Sequence, residues 1–368
     1  MISPKVTIHL DRLKANFDLV KKQVNGKTIM AVVKANGYGH GGATCAKTLE
    51  GHGCDFFAVF SIDEGIELRD AGIQSDILIF SRLDQSRLNE AINYNLILNI
   101  SHRMDLDNVI TYHKETGFSI RTHLKVDTGM TRLGIDVDSI PEVIQLLVDY
   151  PEIKCEGIYS HFATADEGDL SYAIEQQTKF KSILNVAYDM GYSFNNIHLS
   201  NSGAVLNVDQ SLYNVVRVGM LLYGAFPSSE VPMDLPIQPV MTFKAPIVTV
   251  RKVPAGTHVS YGGVYETDSI THIGVIQCGF ADGLPRPWYE KGYVSHNGKK
   301  IKIAGRICMD QFMVDFGNTI PNEGDEVLMI GQEGPDEIRI ETISNTIQST
   351  PYVIATGIGG RTKRIYQG

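Results

Sequence analysis

The chain has 368 residues, 43% hydrophobic and 20% charged, with 33 Lys and Arg against 42 Asp and Glu for a net charge of -9. At ~150 residues per domain this length suggests two domains, and the composition is that of a globular chain rather than a disordered one. No apolar stretch approaches the ~20 residues that span a bilayer, so no membrane is expected, and the negative charge argues against nucleic acid as a partner.

The amino terminus, MISPKVTIHL, has no basic segment leading into a longer apolar run, which predicts no signal peptide and a cytoplasmic protein. Eight short, β-branched-rich apolar runs follow: Thr28 to Lys34, Asp55 to Phe60, Asp76 to Phe80, Asn95 to Ile100, Ile120 to Asp127, Glu156 to Phe162, Asn196 to Asn201 and Tyr213 to Val218. Near-continuous apolar character is what strands buried on both faces show. Amphipathic helical patterns lie between them, at Leu10 to Val24, Ala43 to Leu49, Gln85 to Tyr94, Ile140 to Leu147 and Tyr172 to Met190. Eight βα units predict an α/β fold with a closed eight-stranded TIM-type barrel, and an open doubly wound sheet is the runner-up. Around Pro232, Pro236 and Pro239 the helical period stops, placing a boundary between residues 1–236 and 237–368. Beyond it, Met241 to Lys252, Ile270 to Cys278, Lys300 to Ile303, Phe312 to Phe316 and Glu326 to Ile330 read as strands, so the second domain is mostly β. The five cysteines (Cys45, Cys54, Cys155, Cys278, Cys308) are scattered and form no CxxC pair, which argues against disulfides and against a metal site.

Gly37 to Gly42 (GYGHGG) has GxGxxG spacing after a strand, with Asp63 and Glu64 about twenty residues further on, so a dinucleotide site is one reading. It ranks low. Lys34, Ala35 and Asn36 separate the strand from the first glycine, and Ser61 to Glu64 (SIDE) is better explained as a capping box opening the next helix. A lysine at a barrel rim, such as Lys34, is most often a solvated cation. Catalytic side chains nevertheless collect at the carboxyl-terminal rim, where an amine near apolar walls can lose its proton and attack a carbonyl. Arg132, His161, Asn201, Ser202, Arg217 and Gly219 fall on the same rim. Ser202 and Gly219 lie after the seventh and eighth runs, where such barrels often hold phosphate; a plain-turn reading is equally good on spacing alone. A phosphate, a reactive lysine and no metal spacing together suggest pyridoxal 5'-phosphate.

The segments VVKANGYGHG (32–41), HLKVDTGMTRLG (123–134), SHFATAD (160–166), NSGA (201–204), VRVGMLLYG (216–224), VSYGGVY (259–265) and GRICMDQFMVDFG (305–317) closely resemble bacterial alanine racemases. The resemblance spans both domains. It implies a barrel, a carboxyl-terminal β domain, a small amino acid substrate and a homodimer whose sites are completed across the interface. By the same resemblance Lys34 carries pyridoxal phosphate, and Tyr38, Ser202 and the amides of Ser202, Gly219 and Met220 bind its phosphate. Arg217 faces the pyridine nitrogen, with His161 and His198 behind it. Arg132 and the Met309 amide meet the substrate carboxylate, and Lys125, carbamylated in some members, supports the arginine. Tyr261 is the second catalytic base, delivered by the partner subunit. Asp166, Arg286 and Arg306 match the substrate access channel.

Racemisation takes the Cα proton from one face and returns one to the other, so two proton carriers on opposite faces are wanted, and Lys34 and Tyr261 supply them on this resemblance. Arg217 cannot accept a proton, so it disfavours a protonated pyridine and limits side reactions such as decarboxylation. From the residues alone, SYGG around Tyr261 looks like a hairpin turn. Two positions depart from the family pattern. Phe280 replaces a tyrosine of the access channel, and Gly360 stands opposite a tyrosine that narrows the pocket, with Tyr352 or Tyr366 as candidates to compensate. The expectation is an alanine racemase supplying D-alanine for peptidoglycan; a wider pocket makes a serine or broader small-amino-acid racemase the alternative. A basic-amino-acid decarboxylase or a noncatalytic pyridoxal phosphate carrier fits less well, the first for want of an acidic ring partner, the second because of the β domain.

Overall fold

The structure, a computed structural model, describes residues 3–359 and 361–368. Its strands, in chain order, begin with β1 (Lys5–His9), β2 (Thr28–Val32), β3 (Phe56–Val59), β4 (Asp76–Ile79) and β5 (Leu98–Ile100). They continue with β6 (Arg121–Asp127), β7 (Ile135–Asp136), β8 (Lys154–Tyr159), β9 (Asn196–His198) and β10 (Val215–Val218). The apolar runs are therefore strands, shorter at their ends than the sequence pattern suggests. Residues of β3, β5 and β10 are buried throughout, which only strands covered on both faces achieve.

All pairings among β2–β6 and β8–β10 are parallel, in two sheets ordered β10-β2-β3-β4 and β5-β6-β8-β9, with the short β7 beside β6. Ile97 joins one pair of edges, donating to Ile77 O at 2.9 Å and accepting from Ile79 N at 2.9 Å. At the other, Asn214 N donates to Ile197 O and Arg217 N to Ser200 O, both at 3.2 Å. The sheets thus join end to end as a barrel, and the open-sheet alternative falls. The helices between strands cover its outside, as Leu10–Gln23, Gly42–Gly51, Ile140–Asp149 and Ser171–Asp189 do. The expected helix Gln85 to Tyr94 is divided into a 3-10 turn, Gln85–Arg87, and a helix, Leu88–Asn93, because Asp84 caps the turn through Ser86 N at 3.0 Å.

Residues 225–240, which carry the prolines, have neither helix nor strand and lead into Met241–Val253. That long strand pairs with Thr271–Ile276 on one edge and with Glu326–Glu333 on the other. With Phe312–Asp315, Lys299–Ile303 and Tyr293–His296 between those two, the antiparallel sheet curls back on itself. β1 joins this sheet rather than the barrel, antiparallel to Met241–Val253 and parallel to the final strand Arg364–Gln367. Two helices not expected from the sequence, Ile340–Thr346 and Pro351–Gly357, return to the barrel.

One buried side chain latches the linker to the barrel. Asn16, fully buried, donates to Leu222 O at 3.1 Å and Gln238 O at 2.8 Å and accepts from Gln238 N at 2.8 Å. Gly224 allows the approach, since its φ is +80° and a Cβ there would lie 1.8 Å from Gln238 O. Asn16→Ala leaves three backbone groups without partners, each costing ~1–3 kcal/mol when buried. A urea titration should show about 3 kcal/mol less stability; a loss under about 0.5 kcal/mol would mean that Asn16 is no latch.

Candidate active site

At the carboxyl-terminal end of the barrel strands lies a cavity of about 630 Å³ lined by Lys34, Tyr38, Lys125, Arg132, His161, Asn201, Ser202, Arg217 and Gly219, among others. The size suits a small organic ligand. Phe60, Phe80, Leu133, Tyr159, Val353 and Thr356, not singled out by the sequence, complete the wall with Tyr352, which the sequence offered only as a stand-in at Gly360. For the first two the available signal was their place at the ends of apolar runs.

Contrary to expectation, Lys34 does not end a strand. β2 stops at Val32, and Lys34 is followed by five residues in the left-handed region: Ala35 (φ 52°), Asn36 (53°), Gly37 (61°), Tyr38 (51°) and Gly39 (81°). Only two of them are glycine, and left-handed backbone costs other L-residues about 1–2 kcal/mol each. Local bonds offset this. Gly37 N donates to Val33 O at 2.8 Å, Gly41 N to Asn36 O at 2.8 Å and Gly42 N to Asn36 Oδ1 at 2.9 Å. Ala35 N donates to Glu64 Oε1 at 2.7 Å. The glycines of GYGHGG serve close packing, not a dinucleotide: a Cβ on Gly39 would lie 2.3 Å from Ala355 O, and one on Gly41 1.9 Å from the Tyr366 hydroxyl. SIDE is the capping box it was expected to be, with Ser61 Oγ accepting from Glu64 N at 3.2 Å.

The turn leaves Lys34 facing cations. Burial lowers the pKa of its amine, Arg132 and Arg217 add to the effect, and Glu64 alone among the named causes opposes it. Lys125 is pushed down to about 8, first by burial and then by Arg132 and Arg217. Its ammonium lies 5.5 Å from the centre of the Tyr159 ring, which Arg217 also faces at 5.4 Å.

Arg217 is buried on β10. Its Nη1 donates to His198 Nδ1 at 2.9 Å and His198 O at 3.1 Å; its Nη2 donates to Ser160 O at 2.8 Å, Leu199 O at 3.0 Å and His161 Nδ1 at 3.2 Å. Among the described residues none accepts from Nε, and the side chain lines the cavity. Burial pulls Arg217 down to about 10, which leaves it charged at neutral pH. Beside it, Asn201 caps the helix Ser202–Asn207 through Ala204 N at 3.0 Å, and Ser202 Oγ accepts from Gly219 N at 3.2 Å. A Cβ on Gly219 would lie 2.7 Å from the Tyr38 hydroxyl, so glycine is needed for that hydroxyl to reach the loop. Met220 is buried, its side chain in the core. Asp166 packs beside Gly203.

Tyr261 and Met309 are not in this cavity. Tyr261 opens a one-turn helix, Tyr261–Gly263, between the paired strands His258–Val259 and Tyr265–Glu266, the hairpin its sequence suggested. It is 69% exposed and Met309 is 55% exposed. Both belong to one surface of the second domain. Ser260 Oγ donates to Arg306 O at 2.7 Å, Phe280 N to Cys308 O at 3.0 Å and Ala281 N to Met309 O at 3.1 Å. Phe280 and Arg286 are exposed there too. Gly360 lies outside the described residues. Tyr352, from the helix Pro351–Gly357, brings its ring within 5.8 Å of Tyr38 in the cavity, where the sequence offered it as a compensating tyrosine. Tyr366 packs instead against Gly41.

Residues 8–227 match the family described as alanine racemase, N-terminal domain, and residues 240–366 the family described as alanine racemase, C-terminal domain. The chain belongs to the alanine racemase family. The alanine racemase of Carboxydothermus hydrogenoformans is 38% identical over 367 residues, 98% of each chain. Among solved structures, the alanine racemase of a D-cycloserine-producing Streptomyces lavendulae superposes with a TM-score of 0.93 at 34% identity, covering 100% of this chain and 98% of that one. The alanine racemase of Bartonella henselae, with covalently bound pyridoxal phosphate, gives 0.90 at 27% identity and covers 99% of both.

The lowered Lys125 sets a pH dependence. Unfolded lysine holds its proton to ~10.4, so between pH 8 and 10 the unfolded chain binds more protons and stability gains from this group as pH rises. Denaturation of the wild type and Lys125→Met at pH 7.5 and 10 should show a rise in the wild type relative to the variant. A constant difference would mean that Lys125 has no lowered pKa.

Proposed function

We propose that the chain interconverts L- and D-alanine with pyridoxal 5'-phosphate, using Lys34 and Tyr261 to move the Cα proton on opposite faces, and so supplies D-alanine for peptidoglycan. The observation that carries the reading is a divided site: Lys34, Tyr38, Arg132, His161, Ser202, Arg217 and Gly219 surround one cavity, while Tyr261 and Met309 stand exposed on the other domain. A second copy of the chain would complete each half. A twofold dimer does this twice over, because whatever one protomer presents to its partner it also receives. We read the parallel strands as an eight-stranded (β/α) barrel within residues 1–236, a span whose first strand, β1, pairs instead with the sheet of the β domain over 237–368.

The cavity fits the cofactor. Gly219 has no side chain where the Tyr38 hydroxyl approaches, Ser202 offers its hydroxyl, and Arg217, which lines the cavity, gives its Nε–H to no described residue. Tyr38, Ser202 and the Gly219 and Met220 amides would hold the phosphate, and Arg217 would donate to the pyridine nitrogen with His161 behind it. When bound, pyridoxal phosphate makes the Cα–H of an attached amino acid acidic by delocalising the electrons left behind. Lys34, its basicity lowered by burial, removes or returns that proton on one face. Tyr261 does so on the other, and Arg132 with the Met309 amide orients the carboxylate.

A guanidinium in place of a carboxylate beside the ring nitrogen favours racemisation over decarboxylation. Alanine rather than serine or a broader set is favoured by the family, by relatives named for alanine, and by the Tyr352 ring in the cavity. Five unpaired cysteines suit a cytoplasmic protein.

Wild-type protein in heavy water should convert L-alanine to deuterated D-alanine, and Tyr261→Phe should slow exchange from the L enantiomer more than from the D. The shared site has its own check. Lys34→Ala and Tyr261→Phe homodimers should each be nearly inactive, yet mixing and reassociating them should recover about a quarter of wild-type activity, since half the dimers then hold one intact site of two. No recovery would place both groups in one chain.

A further inference from the structure

We propose that Glu64 is a positioning residue for Lys34: its carboxylate ties the left-handed turn that aims the lysine to the start of the neighbouring helix, Ile62–Asp70. The inference rests on the reading of Lys34 as the cofactor-bearing amine. A capping box needs one glutamate oxygen, turned back to the N-cap amide. Here Oε2 does that, accepting from Ser61 N at 3.3 Å and from Phe60 N at 2.7 Å. Oε1 is surplus to the cap and accepts from Ala35 N at 2.7 Å, 29 residues away along the chain. That amide belongs to the peptide plane between Lys34 and Ala35. Because the plane is rigid, holding its N–H restrains ψ of Lys34 and φ of Ala35, the first of the five left-handed residues, and with them the direction in which Lys34 leaves the backbone. The clamp spans the ends of β2 and β3, so the turn is referred to two barrel strands rather than to itself. The negative charge is also the one that opposes the lowering of the Lys34 pKa by burial and Arg132.

Glu64→Gln separates cap from clamp, since an amide has one acceptor oxygen and presents an N–H where the other stood. Glutamine serves a capping box, so Ile62–Asp70 should keep its protection. On the holoenzyme, amide exchange of residues 34–41 should quicken by about tenfold or more. The turnover number for L-alanine should fall about tenfold or more, with KM within about twofold, because the amine is present but misaimed. Glu64→Asp keeps the charge but is too short to reach both sides, and should resemble Glu64→Gln. Wild-type behaviour of Glu64→Asp, slower turnover with unchanged exchange, or faster exchange with unchanged turnover would each overturn the proposal. Borohydride reduction of the wild type followed by peptide mapping tests the underlying reading separately. A label on a lysine other than Lys34 would sink that reading, and this inference with it, before any variant is made.

Discussion

A guanidinium only donates hydrogen bonds, and Arg217 is buried in the barrel, so every group it touches must accept. That constraint fixes the protonation of its surroundings. His198 Nδ1 and His161 Nδ1 lie 2.9 and 3.2 Å from its nitrogens and must carry no proton there. His198 then holds its hydrogen on Nε2 and donates to His123 Nδ1 at 2.9 Å, which places the hydrogen of His123 on its own Nε2. Burial and Arg217 push His161 and His198 well below the usual imidazole range, and burial with Arg121 brings His123 to about 3. The hydrogen-bond polarity and the electrostatics therefore agree. Three imidazoles near the site stay neutral, and the fixed positive charge is left to the arginine.

The same charge organises the mouth of the barrel. Arg217 and Arg132 both lower the amines of Lys34 and Lys125, and burial does more than either. A cavity of this kind attracts anions, which suits both a cofactor phosphate and an amino acid carboxylate, and it frees an amine to act as a base. Under the proposed function the second proton carrier comes from outside the barrel. The residue proposed for it, Tyr261, stands on a hairpin of the other domain, beside Ser260 with φ 69°.

Much of this was legible in the sequence because parallel strands covered on both faces are apolar without alternation, so their existence survives errors of a few residues at the ends. Lys34, Arg217, Ser202 and Gly219 could be placed on one rim because each lies at or just past the end of such a run. What sequence could not supply was conformation that opposes local preference. Ala35, Asn36 and Tyr38 have no residue-level reason to be left-handed, and the turn exists because Glu64, Val33 and the packing of Gly39 and Gly41 against the carboxyl-terminal tail hold it. β1 was missed for a related reason: its partners, Met241–Val253 and Arg364–Gln367, lie more than two hundred residues away.

Tyr352 shows how packing decides a point that motif matching leaves open. Matching the terminal segment position by position set Gly360 against a family tyrosine and implied an open pocket, with Tyr352 held only in reserve. The helix Pro351–Gly357, capped by Thr350 through Val353 N and carrying Pro351 in its first turn, instead turns Tyr352 toward Tyr38. Close packing of the tail allows no looser arrangement, since a Cβ on Gly39 would strike Ala355 O one turn further along that helix. The glycines that imitated a nucleotide fingerprint and the tyrosine that narrows the cavity thus answer to one requirement. The carboxyl-terminal tail must lie directly on the turn that carries the lysine, and pocket width and lysine placement are set by the same contact.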